Sequence, residues 1–274
     1  MRRHRRRVPV HHRLADIFAT SVLSYDAGSN ATAGYTDANT AAQVSRAFHR
    51  RGYLPGGVTP STRRGRPMNS SRSARAEHLS LGFNTAITND ASHLYGIDLI
   101  VFSNSGFVDT SWSDADPNND GSGVVGSNPF IFGAGGEATI QVSQNGTDWF
   151  TASITTLDLF PTLGYSDYTT TTPAGPGTVE SDFTRAIDPT TALADLANMS
   201  FAELVAFYDG SGGGIGIDIA SSGLDSASYV RFLNNSGEAF EIDAVAVVPA
   251  PGVLFMLGLG GIFATPRRRA RHLS

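Results

Sequence analysis

Ala138-Thr139-Ile140-Gln141-Val142-Ser143, then Asn145-Gly146, then Trp149-Phe150 carries the plainest structural signal in the chain. Apolar and polar residues alternate through the first six positions, the period of a strand with one buried and one wet face. Asn-Gly favours the positive φ of a tight turn, so the runs on either side are expected to pair as a hairpin. Working outward, Leu79-Ser80-Leu81-Gly82-Phe83 alternates in the same way. Ile97-Asp98-Leu99-Ile100-Val101-Phe102, within Tyr95 to Ser103, reads as a strand buried on both faces. Tyr229-Val230-Arg231-Phe232-Leu233 and Ala239 to Val248 read as two closing strands.

Helix is expected in one place only. Asp188-Pro189-Thr190-Thr191 precedes Ala192 to Asn198, and Ser200 opens Phe201 to Tyr208 with Glu203 three residues on, a capping box. Long connections rich in Gly, Ser, Thr, Asn and Asp join the strands, and no repeat of 20–50 residues is visible. These features predict a mainly β chain: an antiparallel β-sandwich, jelly-roll-like, with a short helical insertion.

The 274 residues contain no Cys and no Lys, so disulfides and Cys-held zinc are excluded. The formal charge of −5 hides a strong asymmetry. Residues 1–76 carry 14 Arg against three acids, whereas residues 77–248 carry 22 acids against Arg185 and Arg231, a net of −20. A body so acidic does not hold nucleic acid but attracts divalent cations. Residues 1–23 read as a basic N-terminus with a degenerate or missing export signal, because His11, His12, Arg13 and Asp16 interrupt any apolar core. The body is expected over residues 24–248. Within it, the basic stretch 45–76 has three readings: a disordered loop, a local frameshift, or an arm for an anionic polymer.

Residues 249–274 form a third unit. Val248-Pro249-Ala250-Pro251 leads into an uncharged run to Thr265, then Pro266 and Arg267-Arg268-Arg269-Ala270-Arg271. The stretch from Val247 is long enough to cross a hydrocarbon core, and the Arg cluster should stay cytoplasmic. A C-terminal transmembrane helix is therefore expected.

The order Val-Pro-x-Pro, apolar segment, Arg cluster resembles the PEP-CTERM sorting signal of exosortase systems, a signal also described as an ice-binding protein C-terminal domain. The middle residue here is Ala250, where that family has Glu. The resemblance implies export, membrane insertion, cleavage by an exosortase-type membrane protease near Pro249–Pro251, and delivery to the bacterial surface or matrix. Ice binding itself has no regular Thr-x-Thr repeat to support it. Ile140 to Trp149 is also similar to the strand-turn-strand of discoidin-like, galactose-binding-like sandwiches of exported bacterial surface proteins.

For chemistry, Asp116-Pro117-Asn118-Asn119-Asp120-Gly121-Ser122 places oxygen ligands at alternate positions with Gly at the sixth, as in short Ca²⁺ loops. Asp116, Asn118 and Asp120 would bind through side chains and Ser122 through its carbonyl; position 12 is Ser127 rather than Glu, so Asp114 or a distant acid such as Asp109 would have to substitute. No catalytic residue is assigned, since neither a Gly-x-Ser-x-Gly elbow nor a His-Glu-x-x-His pair occurs. His93 is read as a loop residue, and Asp209 to Gly216 as a helix cap and turn rather than a phosphate loop. Trp112, Phe130, Phe132, Phe160, Tyr165 and Tyr168 are read as packing. The expected function is that of a non-enzymatic surface or matrix protein whose ligands are Ca²⁺ or exopolysaccharide. A secreted polysaccharide-active enzyme is the alternative.

Overall fold

The structure, a computed structural model, describes residues 17–28, 37–42, 74–103, 107–109, 125–130, 136–157, 159–167, 179–236 and 240–250. These residues are mainly β, with antiparallel sheets and one short α-helix. The largest sheet contains β1 (Ser21–Asp26), β3 (His78–Thr88), β10 (Ser226–Asn234), β7 (Glu137–Ser143) and β8 (Phe150–Thr156), in that order. The second contains β12 (Ala244–Val247), β4 (Leu99–Phe102) and β9 (Ile215–Ile217). Two ribbons complete the set, β2 (Ala74–Ala76) with β11 (Phe240–Ile242), and β5 (Phe107–Asp109) with β6 (Val125–Phe130).

Alternation decides which faces are dry. Leu79, Leu81, Ile140, Val142, Val230 and Phe232 project from one face of the five-stranded sheet into a core shared with Leu99, Val101, Ile217, Val245 and Val247 of the three-stranded sheet. The second sheet is covered on its other side as well. Ile100, Phe102, Ala244 and Ala246 pack there against Ile17, Phe18 and Phe183. A strand dry on both faces must be apolar at every position, and Leu99-Ile100-Val101-Phe102 is. A third cluster, Phe160, Leu163, Leu196, Leu204 and Tyr208, seats the helix.

The hairpin forms, with a connection of six residues (144–149). Ser143 Oγ accepts the Gly146 N–H, and Asn145 Oδ1 accepts those of Thr147 and Asp148, each at 2.9 Å. Side chains thus take over the backbone pairing that a tighter turn would supply. Helix α1 (Phe201–Tyr208) starts at the expected capping box: Ser200 Oγ accepts the Glu203 N–H, and Glu203 Oε2 accepts the Ser200 N–H at 2.8 Å. It ends at Asp209 in the left-handed region.

Three expectations are corrected. Ala192 to Asn198 is not an α-helix; only the 3-10 turn Leu193–Leu196 forms. Ala239 to Val248 is not one strand, for β11 and β12 belong to different sheets and buried Asp243 marks the break, its N–H bonded to Phe102 O at 2.9 Å. The body also begins before residue 24. Phe18 bridges Ala246, Ala19 N–H donates to Val245 O at 3.0 Å, and Val247 N–H donates to Ile17 O at 2.8 Å. Residues 17–19 thereby pair along β12, giving it partners on both sides.

Asp98 joins these layers. Its Oδ1 accepts the Asp90 N–H at 3.0 Å and the His93 ring at 2.8 Å, and its Oδ2 accepts the Ile219 N–H at 3.0 Å. Its backbone N–H donates to Ile217 O and its carbonyl accepts from Val248. The side chain is fully buried. Replacing it with Ala strands three donors away from water. Asp98→Ala is expected to cost about 3–5 kcal/mol, and Asp98→Asn about 1–3 kcal/mol, in urea unfolding. Losses within error of wild type would remove Asp98 from this role.

Tyr208 gives a pH-dependent test. Its buried hydroxyl donates to Pro161 O at 2.8 Å, and burial pushes the phenol well above its ordinary value of 10. A folded-state pKa raised above the unfolded one gives stability that is complete below pH 10 and lost as pH rises toward the folded value. Tyr208→Phe should cost about 1 kcal/mol at neutral pH, and the gap to wild type should narrow above pH 10 in melts taken across that range. A gap that stays constant at alkaline pH would contradict the argument.

Candidate functional site

The outer face of the five-stranded sheet gathers the polar chemistry of the body. Register carries one row of side chains across all five strands: Ser24 beside Ser80, Ser80 beside Arg231, Arg231 beside Gln141, and Gln141 beside Thr151. These positions alternate with the core residues, so the same period that buries Val230 and Phe232 turns Arg231 to the wet side.

Arg231 is held tightly for a surface residue. Its Nε donates to Gln141 Oε1 at 2.9 Å, its Nη2 donates to the same oxygen, and its guanidinium carbon lies 4.3 Å from the centre of the Trp149 ring. Partial burial draws the guanidinium pKa down. On its other side, His78 Nε2 lies 2.9 Å from both Ser24 Oγ and Ser80 Oγ. Burial lowers the His78 pKa, Arg231 lowers it further, and Asp26 opposes both.

One pair along the strand, Tyr229 faces Gly82 on one neighbour and Ser143 on the other. A Cβ on Gly82 would lie 3.1 Å from Leu23 Cδ1 and 3.2 Å from Tyr229 Cε1, so glycine lets both side chains settle onto the sheet. Gly146, at φ 78°, lies under the same pair from the hairpin side. The result is a small apolar platform beside a fixed cation, with Leu23 41% exposed.

The residues singled out from sequence fall elsewhere. Asp114, Asp116, Asn118, Asp120 and Ser122 lie outside the described residues, as do Pro251, Arg267, Arg268, Arg269, Arg271, Trp112, Phe132 and Tyr168. The basic stretch 45–73 and the apolar run to Thr265 lie outside them too. Among the described residues, no group of three or more His, Asp or Glu is placed to hold a metal, and no helix is long and apolar enough to cross a membrane. Val248 is buried, and Pro249 and Ala250 are half-buried at the end of β12. Phe160 and Tyr165 pack into the third and second clusters respectively.

His93 sits in a turn but is not a loose loop residue. It is buried, its Nδ1 meets Asp98, and its Nε2 has no hydrogen-bond partner among the described residues. Its work is to hold the turn that enters β4. Of the glycines after α1, Gly212, Gly213, Gly214 and Gly216 serve packing, and a Cβ on Gly214 would fall 2.7 Å from Val101 O, whereas Gly210 faces open space. The Arg231 row escaped sequence reading because it depends on strand register, although Tyr229 and Arg231 at alternate positions marked a polar face.

Neither a protein-family model, nor a curated protein, nor a solved structure matches this chain.

Proposed function

We propose that the chain is an exported bacterial surface or matrix protein: a jelly-roll-like β-sandwich delivered through a C-terminal membrane segment and released by an exosortase-type protease at Pro249-Ala250-Pro251. One observation carries this reading. Among the described residues the last strand ends at Val247, the Val248 N–H donates to Asp98 O at 2.9 Å, and the next residue, Pro249, has no N–H with which to extend the ladder. The last described strand thus ends just before the Pro-Ala-Pro stretch proposed as the sorting motif, and cleavage there would remove none of the strands described above. The core shared by the five- and three-stranded sheets supports the sandwich.

Ending the chain after Val248 should leave the urea midpoint of the full chain unchanged. Ending it after Asp243 removes β12, strips β4 of a neighbour, and should leave no cooperative transition. The sorting step is tested by expression beside an active exosortase. Mass spectrometry should then find an extracellular form lacking everything beyond about Pro251. An intact C-terminus retained in the inner membrane defeats the proposal.

A further inference from the structure

Arg231 is electrostatically out of place. Of the two arginines between residues 77 and 248, Arg185 pairs with Asp209. Among the described residues, none places a carboxylate oxygen within 4.0 Å of the Arg231 guanidinium. Twenty-two acids occupy the same stretch of sequence, so scarcity of acids does not explain this. The guanidinium is held instead by neutral groups, the Gln141 carbonyl and the Trp149 ring, and Nη1 has no hydrogen bond among the described residues. A cation fixed in place, partly desolvated and without an ion-pair partner among the described residues is suited to an anion from outside.

The surroundings narrow the class of that anion. Tyr229 lies two residues away on the same strand face, about 7 Å along it. Together with Leu23 it forms the apolar platform over Gly82 and Gly146. Hydroxyls of Ser24 and Thr151 share the Arg231 row, while that of Ser80 is buried against His78. The five strands span about 19 Å, room for several linked sugar rings rather than one small ion. An apolar ring seat, hydroxyl partners and one planar fork together suit a sugar that carries a carboxylate.

We propose that the outer face of the five-stranded sheet binds an acidic polysaccharide, with Arg231 taking a uronate carboxylate through its fork and Tyr229 with Leu23 seating a sugar ring. This binding goes beyond the sorting reading and does not depend on it.

The full chain, purified in mild detergent, is run in native gels containing polygalacturonate at about 0.15 M salt, where a screening length of about 8 Å damps repulsion from the acidic body. Polygalacturonate should retard it. The methyl-esterified polymer, which has the same backbone without the charge, should not. Arg231→Met should raise the apparent Kd at least about tenfold, and Arg231→Lys severalfold, because an ammonium lacks the fork. No retardation by polygalacturonate, equal retardation by the ester, or unchanged binding by Arg231→Met would each overturn the proposal. Stronger retardation by dextran sulfate would overturn the carboxylate assignment. Should Arg231→Met fail to fold, the acid-against-ester comparison on the wild-type chain still decides.

Discussion

Asp98 is the constraint on which the two halves of the core depend. A buried carboxyl is costly unless every oxygen is engaged, and here donors arrive from three positions: Asp90, His93 and Ile219. They lie in the turn before β4 and the loop after β9. The backbone of the same residue bonds Ile217 and Val248. One residue therefore fixes where β4 starts, how β9 lies beside it, and where β12 stops. The strand between them is dry on both faces, so it lacks the wet-and-dry alternation that sets register elsewhere. A polar node at its end supplies the register that apolar packing leaves open.

Much of this was legible in the chain. Ala138 to Ser143 showed both the strand and its inward residues, since a half-buried strand writes its burial as a period of two. Ser200 and Glu203 announced α1 because capping is a local event between residues three apart. Leu99 to Phe102 announced a fully buried strand through its unbroken apolarity. The failures share a cause. Ile17 to Ala19 join the second sheet through partners more than two hundred residues away, and β9 is three residues long with a glycine at its centre. Neither offers a local pattern to read. Asp243 splits the closing run because β11 and β12 must reach different sheets, a demand of topology rather than propensity.

The site shows the same division. Alternation alone places Tyr229 and Arg231 on the wet face, but Arg231 becomes a fixed group only because register sets Gln141 beside it and the hairpin brings Trp149 over it. His93 was recognisable as a turn residue, whereas its burial depends on Asp98, whose partners are set by tertiary packing.

A sheet that keeps one face wet also has two edges to protect from pairing with other chains. The β8 edge carries exposed Phe150 and Ile154, an invitation to such pairing. Ser221, in the 3-10 turn Ala220–Ser222, donates its hydroxyl to Ala152 O at the middle of that strand. The β8 strand also bulges against β7 between Ile140 and Gln141, which twists the edge. At the opposite edge, β1 shifts register between Val22 and Ser24, and the 3-10 turn Ala38–Thr40 packs nearby. Both edges are thus interrupted where an incoming strand would need an unbroken row of N–H and C=O groups. The open face, by contrast, presents side chains rather than backbone. Contacts made there are selected by Arg231, Tyr229 and their neighbours, not by the indiscriminate pairing of strand edges.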